Sequence, residues 1–199
     1  MNKEHTGMKH LRCFIAIDLP DGVKSEVRQV IDSMRKCGGD IKWVDVSHIH
    51  ITLKFLGNTA ETAIHGIQDS LRSVVSSCPP FCITIYGTGV FPNRKHPRVI
   101  WAGIEDSETM KNLKQDIENA MTTYGYQKED RDFAPHLTLG RVRSQKGIIT
   151  TLLKLDSFRE TLFGRLQVDT VKLMKSELRP QGPEYTCISG IPLGSGNSS

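Results

Sequence analysis

The chain has 199 residues, of which 38% are hydrophobic and 24% charged, a balance typical of a globular protein. Its net charge of +4, from 26 Lys and Arg against 22 Asp and Glu, permits an anionic ligand without requiring one. No apolar run approaches the ~20 residues that span a bilayer, and the N-terminus lacks the apolar stretch of a secretory signal. The five cysteines form no CxxC pair, so the sequence predicts reduced thiols in a cytoplasmic protein with no membrane partner.

The first part of the chain predicts three strands and two helices. Strands are expected over 11–19, 40–46 and 50–57, and the helices carry the apolar stripes Val23, Val27, Val30, Met34 and Ile64, Ile67, Leu71, Val74. Pro20 ends the first strand and Gly38 the first helix, while Asn58 and Thr59 are expected to cap the second helix. His65 lies off the stripe of that helix, which predicts a surface histidine.

The second part predicts five more strands and two more helices. The strands are expected over 81–91, 98–104, 136–143, 166–174 and near 185–191, and the helices around 149–155 and along Met110, Leu113, Ile117, Met121 and Tyr124. Ser107 is the expected N-cap of the longer helix, and Gly125 ends it. The basic, turn-rich segment 92–97 joins two of the strands.

Helices and strands follow one another without the strict alternation of a doubly wound sheet, which favours an α+β fold. A short segment beginning His-apolar-Thr-Leu occurs at a comparable place in each half of the chain. We therefore expect a single bilobal, pseudo-two-fold domain over 11–193, with one segment in each lobe. Residues 1–10 and 194–199 carry no periodic apolar pattern and are expected to be loose termini.

The two segments are "HITLKFLG", which begins at His50, and "HLTLGRVR", which begins at His136. Side chains alternate along a strand, so His50 and Thr52 share one face, roughly 6–7 Å apart, and His136 and Thr138 do the same. The apolar residues between them point to the opposite, buried face. Each segment therefore offers an imidazole and a hydroxyl to a common groove.

Two imidazoles and two hydroxyls around one small volume suit displacement at a phosphodiester. One neutral histidine accepts a proton from the attacking water, a protonated one donates to the departing oxygen, and threonine hydroxyls hold the remaining oxygens. One His-x-Thr alone is more typical of a structural histidine, and the doubled pattern favours catalysis. A metal alternative also exists, because His48, His50 and Thr52 would share a strand face, but no acidic residue or cysteine stands at a partner spacing around His136.

Four stretches resemble one known family in its own order. They are "CFIAIDLP", "GVFPNRKHPRVIWAGI", "FAPHLTLGRV" and "LMKSELRPQGPEYTCISGIPL". Together with "HITLKFLG" they resemble the two-histidine phosphoesterases, in particular the RNA 2′,3′-cyclic phosphodiesterases of the LigT-like family. The resemblance implies antiparallel sheets lining a central cleft with helices outside. It also implies an RNA 3′ end or oligonucleotide with a 2′,3′-cyclic phosphate as substrate, a 2′-phosphate product, and no metal or other cofactor.

The same resemblance suggests roles for the site residues. His50 would protonate the departing 3′-oxygen, His136 would activate water, and Thr52 and Thr138 would bind phosphate. Arg141 matches a position that can bind phosphate in the family, although strict alternation places it out of phase with its motif. It reaches the cleft only if the strand bends or bulges, as the preceding glycine permits.

Other residues near the motifs leave alternatives open. Lys54 is in phase with the first motif, so it is either a cation at the cleft edge or a surface lysine, and Phe55 is expected in the core. The cations of the basic connection would either track an RNA backbone or form a solvated loop; they are Arg94, Lys95, His96 and Arg98. Four aromatic residues are candidates to stack on a base, namely Trp43, Phe91, Trp101 and Phe133.

The same site also admits other functions. These are 2′–5′ RNA ligation, hydrolysis of a small cyclic-phosphate nucleotide, and binding of RNA ends without catalysis. Nothing in the sequence calls for an oligomer, so we expect a monomer.

Overall fold

The computed structural model describes residues 9–105, 108–129, 133–180 and 182–194, and these ranges form nine strands and four α-helices. The strands are β1 His10–Asp18, β2 Ile41–Trp43, β3 His50–Ala60, β4 Phe81–Phe91, β5 Val99–Glu105, β6 His136–Val142, β7 Leu162–Val168, β8 Thr170–Arg179 and β9 Gly182–Pro192. The helices are α1 Asp21–Arg35, α2 Ile64–Ser76, α3 Glu108–Met121 and α4 Ile148–Asp156. The predicted N-cap Ser107 lies outside the described residues, as do most of the predicted loose termini.

Within the described ranges the strands form two antiparallel sheets. Sheet A has the order β3-β1-β8-β9, and sheet B has the order β2-β6-β5-β4-β7. The first His-Thr segment lies in β3 at an edge of sheet A, and the second lies in β6 inside sheet B. The predicted α+β fold is confirmed, and each sheet carries one of the two segments.

The helices cover both sheets through their apolar stripes. Helices α2 and α3 contact sheet A at β9 and β3, whereas α1 and α4 contact sheet B at β7 and β4. The stripes are buried as their helical spacing predicts, for example Val27 in α1 and Leu71 in α2. No helix in the described part of the chain is long and apolar enough to cross a membrane.

Three local predictions were wrong. Asn58 and Thr59 do not cap α2, because β3 continues to Ala60 by pairing with β1, and a 3-10 turn precedes the helix. The predicted strand over 40–46 stops at Trp43. The predicted strand over 166–174 is two strands, β7 in sheet B and β8 in sheet A, which separate at Asp169.

Both motif strands contain a β-bulge at the leucine that follows the threonine. The β1–β3 pairing passes from Thr52 to Lys54 without using Leu53, and the β5–β6 pairing passes from Thr138 to Gly140 without using Leu139. A bulge inserts one unpaired residue, so it reverses which face the following side chains occupy. The strict alternation assumed from the sequence therefore ends after each threonine.

Candidate active site

His50 stands at the start of β3, with its ring held by three neighbours. Its Nδ1 lies 2.8 Å from the carbonyl oxygen of His48, the Phe14 ring stacks on it at 4.7 Å between centroids, and Tyr185 meets it edge-on at 5.3 Å. Burial among these groups lowers the pKa of His50, and the hydrogen bond to the His48 carbonyl opposes that shift less strongly.

His136 stands at the start of β6 in a matching arrangement. Its Nδ1 lies 2.8 Å from the carbonyl oxygen of Ala134, and the Phe91 ring meets it edge-on at 5.0 Å. A carbonyl oxygen only accepts, so Nδ1 carries the proton in both histidines. Each ring therefore has Nε2 available for chemistry, as an acceptor when neutral and a donor when protonated.

Thr52 and Thr138 each lie two residues after a histidine, before the bulge, so alternation places each hydroxyl beside its imidazole. We call the sheet surfaces that carry these pairs the histidine faces. Both threonines are half-buried. Strands β3 and β6 approach within 8 Å between Cα atoms, although they belong to different sheets.

Arg141 lies on the histidine face of sheet B. The bulge at Leu139 reverses its phase, so it is an exposed side chain on the same side as Thr138. Burial raises the pKa of Tyr185 in sheet A, and the positive charges of Arg12 and Arg141 partly offset that rise. The charge of Arg141 is therefore felt in sheet A. The sequence required a bend or bulge for this placement, and the structure supplies one.

The matching bulge in β3 overturns both expectations for the residues that follow it. Lys54 is a buried side chain with only 2% of its surface exposed, and its Nζ lies 2.6 Å from Oε2 of Glu118. Phe55, expected in the core, is 63% exposed, and its ring lies 6.3 Å from that of Phe14 on the histidine face. Counted from the histidines, Phe55 occupies the place that Arg141 has in the second motif.

Asp18 adds negative charge near the first histidine, because it pairs with His50 across the β1–β3 ladder. It accepts hydrogen bonds from Lys24 at 3.0 Å and Lys172 at 2.8 Å. Burial alone would raise the pKa of Asp18, but these two lysines outweigh it and hold the pKa at about 2. The four side chains line one cavity of about 120 Å³ together with Tyr185.

The aromatic candidates divide between the site and the structure around it. Phe91 and Trp101 lie beside the second motif, with ring centroids 5.2 Å apart. Trp43 packs against the core behind Gly140, and Phe133 receives the ammonium of a buried lysine. Phe14 and Tyr185 were missed, because their place beside His50 depends on strand pairing rather than on any local signal.

The remaining polar candidates are the cations of the basic connection and His48. Lys95, His96 and Arg98 are exposed, as both alternatives for that connection expect, and Arg94, also exposed, is held by Asp156 of α4 through two hydrogen bonds of 2.8 Å. His48 belongs to a 3-10 turn before β3, so it does not share a strand face with His50, which was the premise of the metal alternative. Its ring contacts Tyr185 at 5.3 Å between centroids.

Comparison with known proteins places this geometry in a family. A model of the 2′-5′ RNA ligase superfamily matches residues 21–180. The chain is 34% identical to an RNA 2′,3′-cyclic phosphodiesterase of Methanothermobacter thermautotrophicus, covering 88% of this chain and 95% of that one. A Thermotoga maritima protein of the same name is 33% identical over 88% of this chain and 91% of its own.

Solved structures show the same fold. A protein of Thermus thermophilus, TT0787, superposes with a TM-score of 0.78 at 26% identity, covering 94% of this chain and 100% of the other. Escherichia coli LigT complexed with 3′-AMP superposes with a TM-score of 0.74 at 22% identity, covering 93% and 99%. Because the matched region contains both His-Thr strands and most of the chain, the protein belongs to the 2′-5′ RNA ligase superfamily.

Proposed function

We propose that this protein opens the terminal 2′,3′-cyclic phosphate of RNA to a 2′-phosphate by metal-independent acid-base catalysis. The observation that carries the proposal is the matched pair of imidazoles, each with Nδ1 at 2.8 Å from a backbone carbonyl and Nε2 available. They lie on strands that approach each other, each beside a threonine hydroxyl. Relatives that carry the name RNA 2′,3′-cyclic phosphodiesterase cover most of the chain.

In the proposed reaction, water attacks phosphorus while Nε2 of His136 takes its proton. The bond between phosphorus and the 3′-oxygen breaks, and Nε2 of His50 gives its proton to that oxygen. The roles follow the family resemblance, because the motif itself is nearly symmetric. Thr52, Thr138 and Arg141 hold the non-bridging oxygens, where their hydrogen bonds oppose the charge that builds up in the transition state.

The surroundings of His50 link its protonation to substrate binding. Burial lowers the pKa of His50, which works against an acid at neutral pH. Asp18 opposes this shift in the ligand-free protein. A bound phosphodiester adds a second negative charge beside the ring and favours the imidazolium.

An RNA end suits this surface better than a small cyclic nucleotide. Beyond His50, the histidine face of sheet A continues with the exposed Phe55 of β3, the half-buried Tyr185 of β9 and the exposed Arg12 of β1. Aromatic rings offer stacking surfaces to unpaired bases, and a cation attracts the backbone phosphates between them. A mononucleotide would leave the far end of this surface unused.

The test is an RNA oligonucleotide ending in a 2′,3′-cyclic phosphate, incubated with the protein in EDTA. We expect a 2′-phosphate product and a bell-shaped dependence of rate on pH, since one histidine is neutral and one protonated. His50→Ala and His136→Ala should each lower the rate at least ~10²-fold. His65→Ala is the matched control, because that side chain is 84% exposed on α2 and should leave the rate unchanged.

The other functions give different results in the same assay. Full activity in the double His50→Ala, His136→Ala variant would overturn the mechanism, and loss of activity in EDTA would point to a metal-dependent hydrolase. An RNA-end binder would retain the cyclic phosphate. Ligation would appear when an RNA with a free 5′-hydroxyl is added, because that hydroxyl can replace water and form a 2′–5′ bond.

A further inference from the structure

A buried ion pair lies directly behind the first motif. Lys54 and Glu118 have side-chain exposures of 2% and 5%, and their charged atoms are 2.6 Å apart. Lys54 Nζ also donates to the carbonyl oxygen of Gln127, at 2.8 Å. The bulge after Thr52 turns the lysine into this position, so the pair joins the first motif strand to α3 and to the connection that follows α3.

The ion pair continues toward the second motif through a second lysine. Lys114 Nζ donates to Oε1 of Glu118 at 2.7 Å and lies 5.2 Å from the ring centroid of Phe133. The next residue after Phe133 is Ala134, whose carbonyl oxygen holds Nδ1 of His136. A chain of contacts therefore runs from the strand of one catalytic histidine to the backbone group that orients the other.

Stability alone does not explain a buried ion pair at this place. Removing two charges from water costs about as much as their attraction returns, and apolar residues of similar size are often as stable or more stable. Burial alone would raise the pKa of Glu118, but Lys114 and Lys54 outweigh it and hold that pKa below its usual range. The carboxylate thus stays charged between the two lysines, and its directional bonds fix geometry that an apolar contact would leave free.

We propose that Lys54 and Glu118 are positioning residues, which set the orientation of His136 relative to the strand that carries His50. The proposal rests on the proposed function for its catalytic consequence. Its structural content, that the pair determines the placement of His136, stands apart from any activity.

The test is the double variant Lys54→Met, Glu118→Met, which removes the pair and keeps the side-chain lengths similar. We expect a folded protein with an unfolding temperature within about 5 °C of the parent, because Lys114, which loses Glu118, keeps Glu129 as an ion-pair partner at 3.2 Å. The kcat on cyclic-phosphate RNA should fall at least ~10-fold while KM changes less than about 3-fold, since a misaligned base slows the chemical step more than binding. Thr151→Val is the control, because it removes a buried hydroxyl that donates to Gly38 near sheet B, and it should lower stability without changing kcat.

A second readout needs no activity. In NMR spectra the imidazole resonances of His136 should shift in the double variant, while those of the exposed His65 stay in place. Unchanged His136 resonances with unchanged kcat would overturn the positioning role. If the parent protein does not open cyclic phosphates but the His136 resonances still shift, the proposed function fails and the positioning role stands. If the double variant does not fold, Lys54→Met alone, which leaves Glu118 paired with Lys114, gives the same comparison.

Discussion

The two histidines share a tautomer but differ in the charge that surrounds them. Each Nδ1 faces a backbone carbonyl, so Nε2 is the nitrogen left available in both rings. Burial lowers the pKa of His50, and Asp18 with its lysine partners lies beside that ring. In the proposed mechanism, the surroundings of the two rings, rather than the motif, distinguish the acid from the base.

A substrate with a better leaving group tests the role of each histidine. With sulfur in place of the bridging 3′-oxygen, the departing thiolate needs no proton, because a thiol is far more acidic than an alcohol. We expect His50→Ala to lose at least ~10²-fold in rate on the oxygen substrate and less than about 10-fold on the sulfur substrate. His136→Ala should lose activity on both, as a missing base would. Rescue of His136→Ala instead of His50→Ala would reverse the assignment.

Asp18→Asn tests the same assignment through pH. Removing the carboxylate and leaving its lysines lowers the pKa of His50 further, since Asp18 raises that pKa in the parent. For an acid, a lower pKa reduces the protonated fraction at high pH, so kcat/KM should fall at about pH 8.5 and fall less as the pH is lowered. A rise at low pH with no change at high pH would show that His50 is the base. Asp32→Asn, on the exposed face of α1, should change neither.

At the scale of elements, the bulge after each threonine decides which side chains reach the site. Without it, Arg141 would face the core and Lys54 would face the cleft, the reverse of what the structure shows. The bulges also give the two strands unlike chemistry at one position, an aromatic ring in β3 and a guanidinium in β6. The site is thus symmetric in its histidines and asymmetric in the groups that surround them.

Arg141→Ala tests whether the guanidinium that the β6 bulge brings to the histidine face binds the substrate phosphate. A charge-assisted hydrogen bond to phosphate is worth about 1.5–3 kcal/mol, so kcat/KM should fall about 10–100-fold. Arg141→Lys should recover part of the loss through charge alone. Arg72→Ala, on the exposed face of α2, is the matched control and should have no effect. Equal rates for the parent and Arg141→Ala would mean that the guanidinium does not meet the phosphate.

The sequence predicted the features that depend on neighbouring residues, and it failed for those that depend on how strands pair. Helical spacing placed the apolar stripes, and the doubled motif placed each histidine and its threonine on one strand, because both signals lie within a few neighbouring residues. The bulge at Leu53 depends on how β3 pairs with β1, and the burial of Lys54 depends on Glu118, 64 positions away. Because strict alternation was applied beyond the threonine, the prediction placed Lys54 and Phe55 on the wrong faces of the strand.

At the scale of the molecule, two sheets built from interleaved parts of the chain approach each other at β3 and β6. Helix α1 follows β1 of sheet A yet packs on β7 of sheet B, and β7 passes directly into β8 of sheet A. The chain therefore passes between the two sheets more than once, and a helix that follows a strand of sheet A covers sheet B. The buried contacts between Lys54 and α3 extend this connection to the two motifs.

Arg12→Ala tests how far a bound RNA extends along the histidine face of sheet A. Arg12 lies on β1, two positions from Phe14 and near Tyr185, at the far end of the histidine face from His50. Each phosphate neutralised on a single strand contributes about 0.7 to the slope of log affinity against log salt concentration. For an oligonucleotide, Arg12→Ala should reduce that slope by about 0.7.

A cyclic mononucleotide should show no such change, because it has no backbone phosphate to reach Arg12. Arg159→Ala, an exposed cation after α4, is the control and should leave both slopes unchanged. Equal slopes for the parent and Arg12→Ala on the oligonucleotide would confine recognition to the terminal nucleotide. The difference between the two substrates therefore separates an RNA phosphodiesterase from an enzyme for small cyclic phosphates.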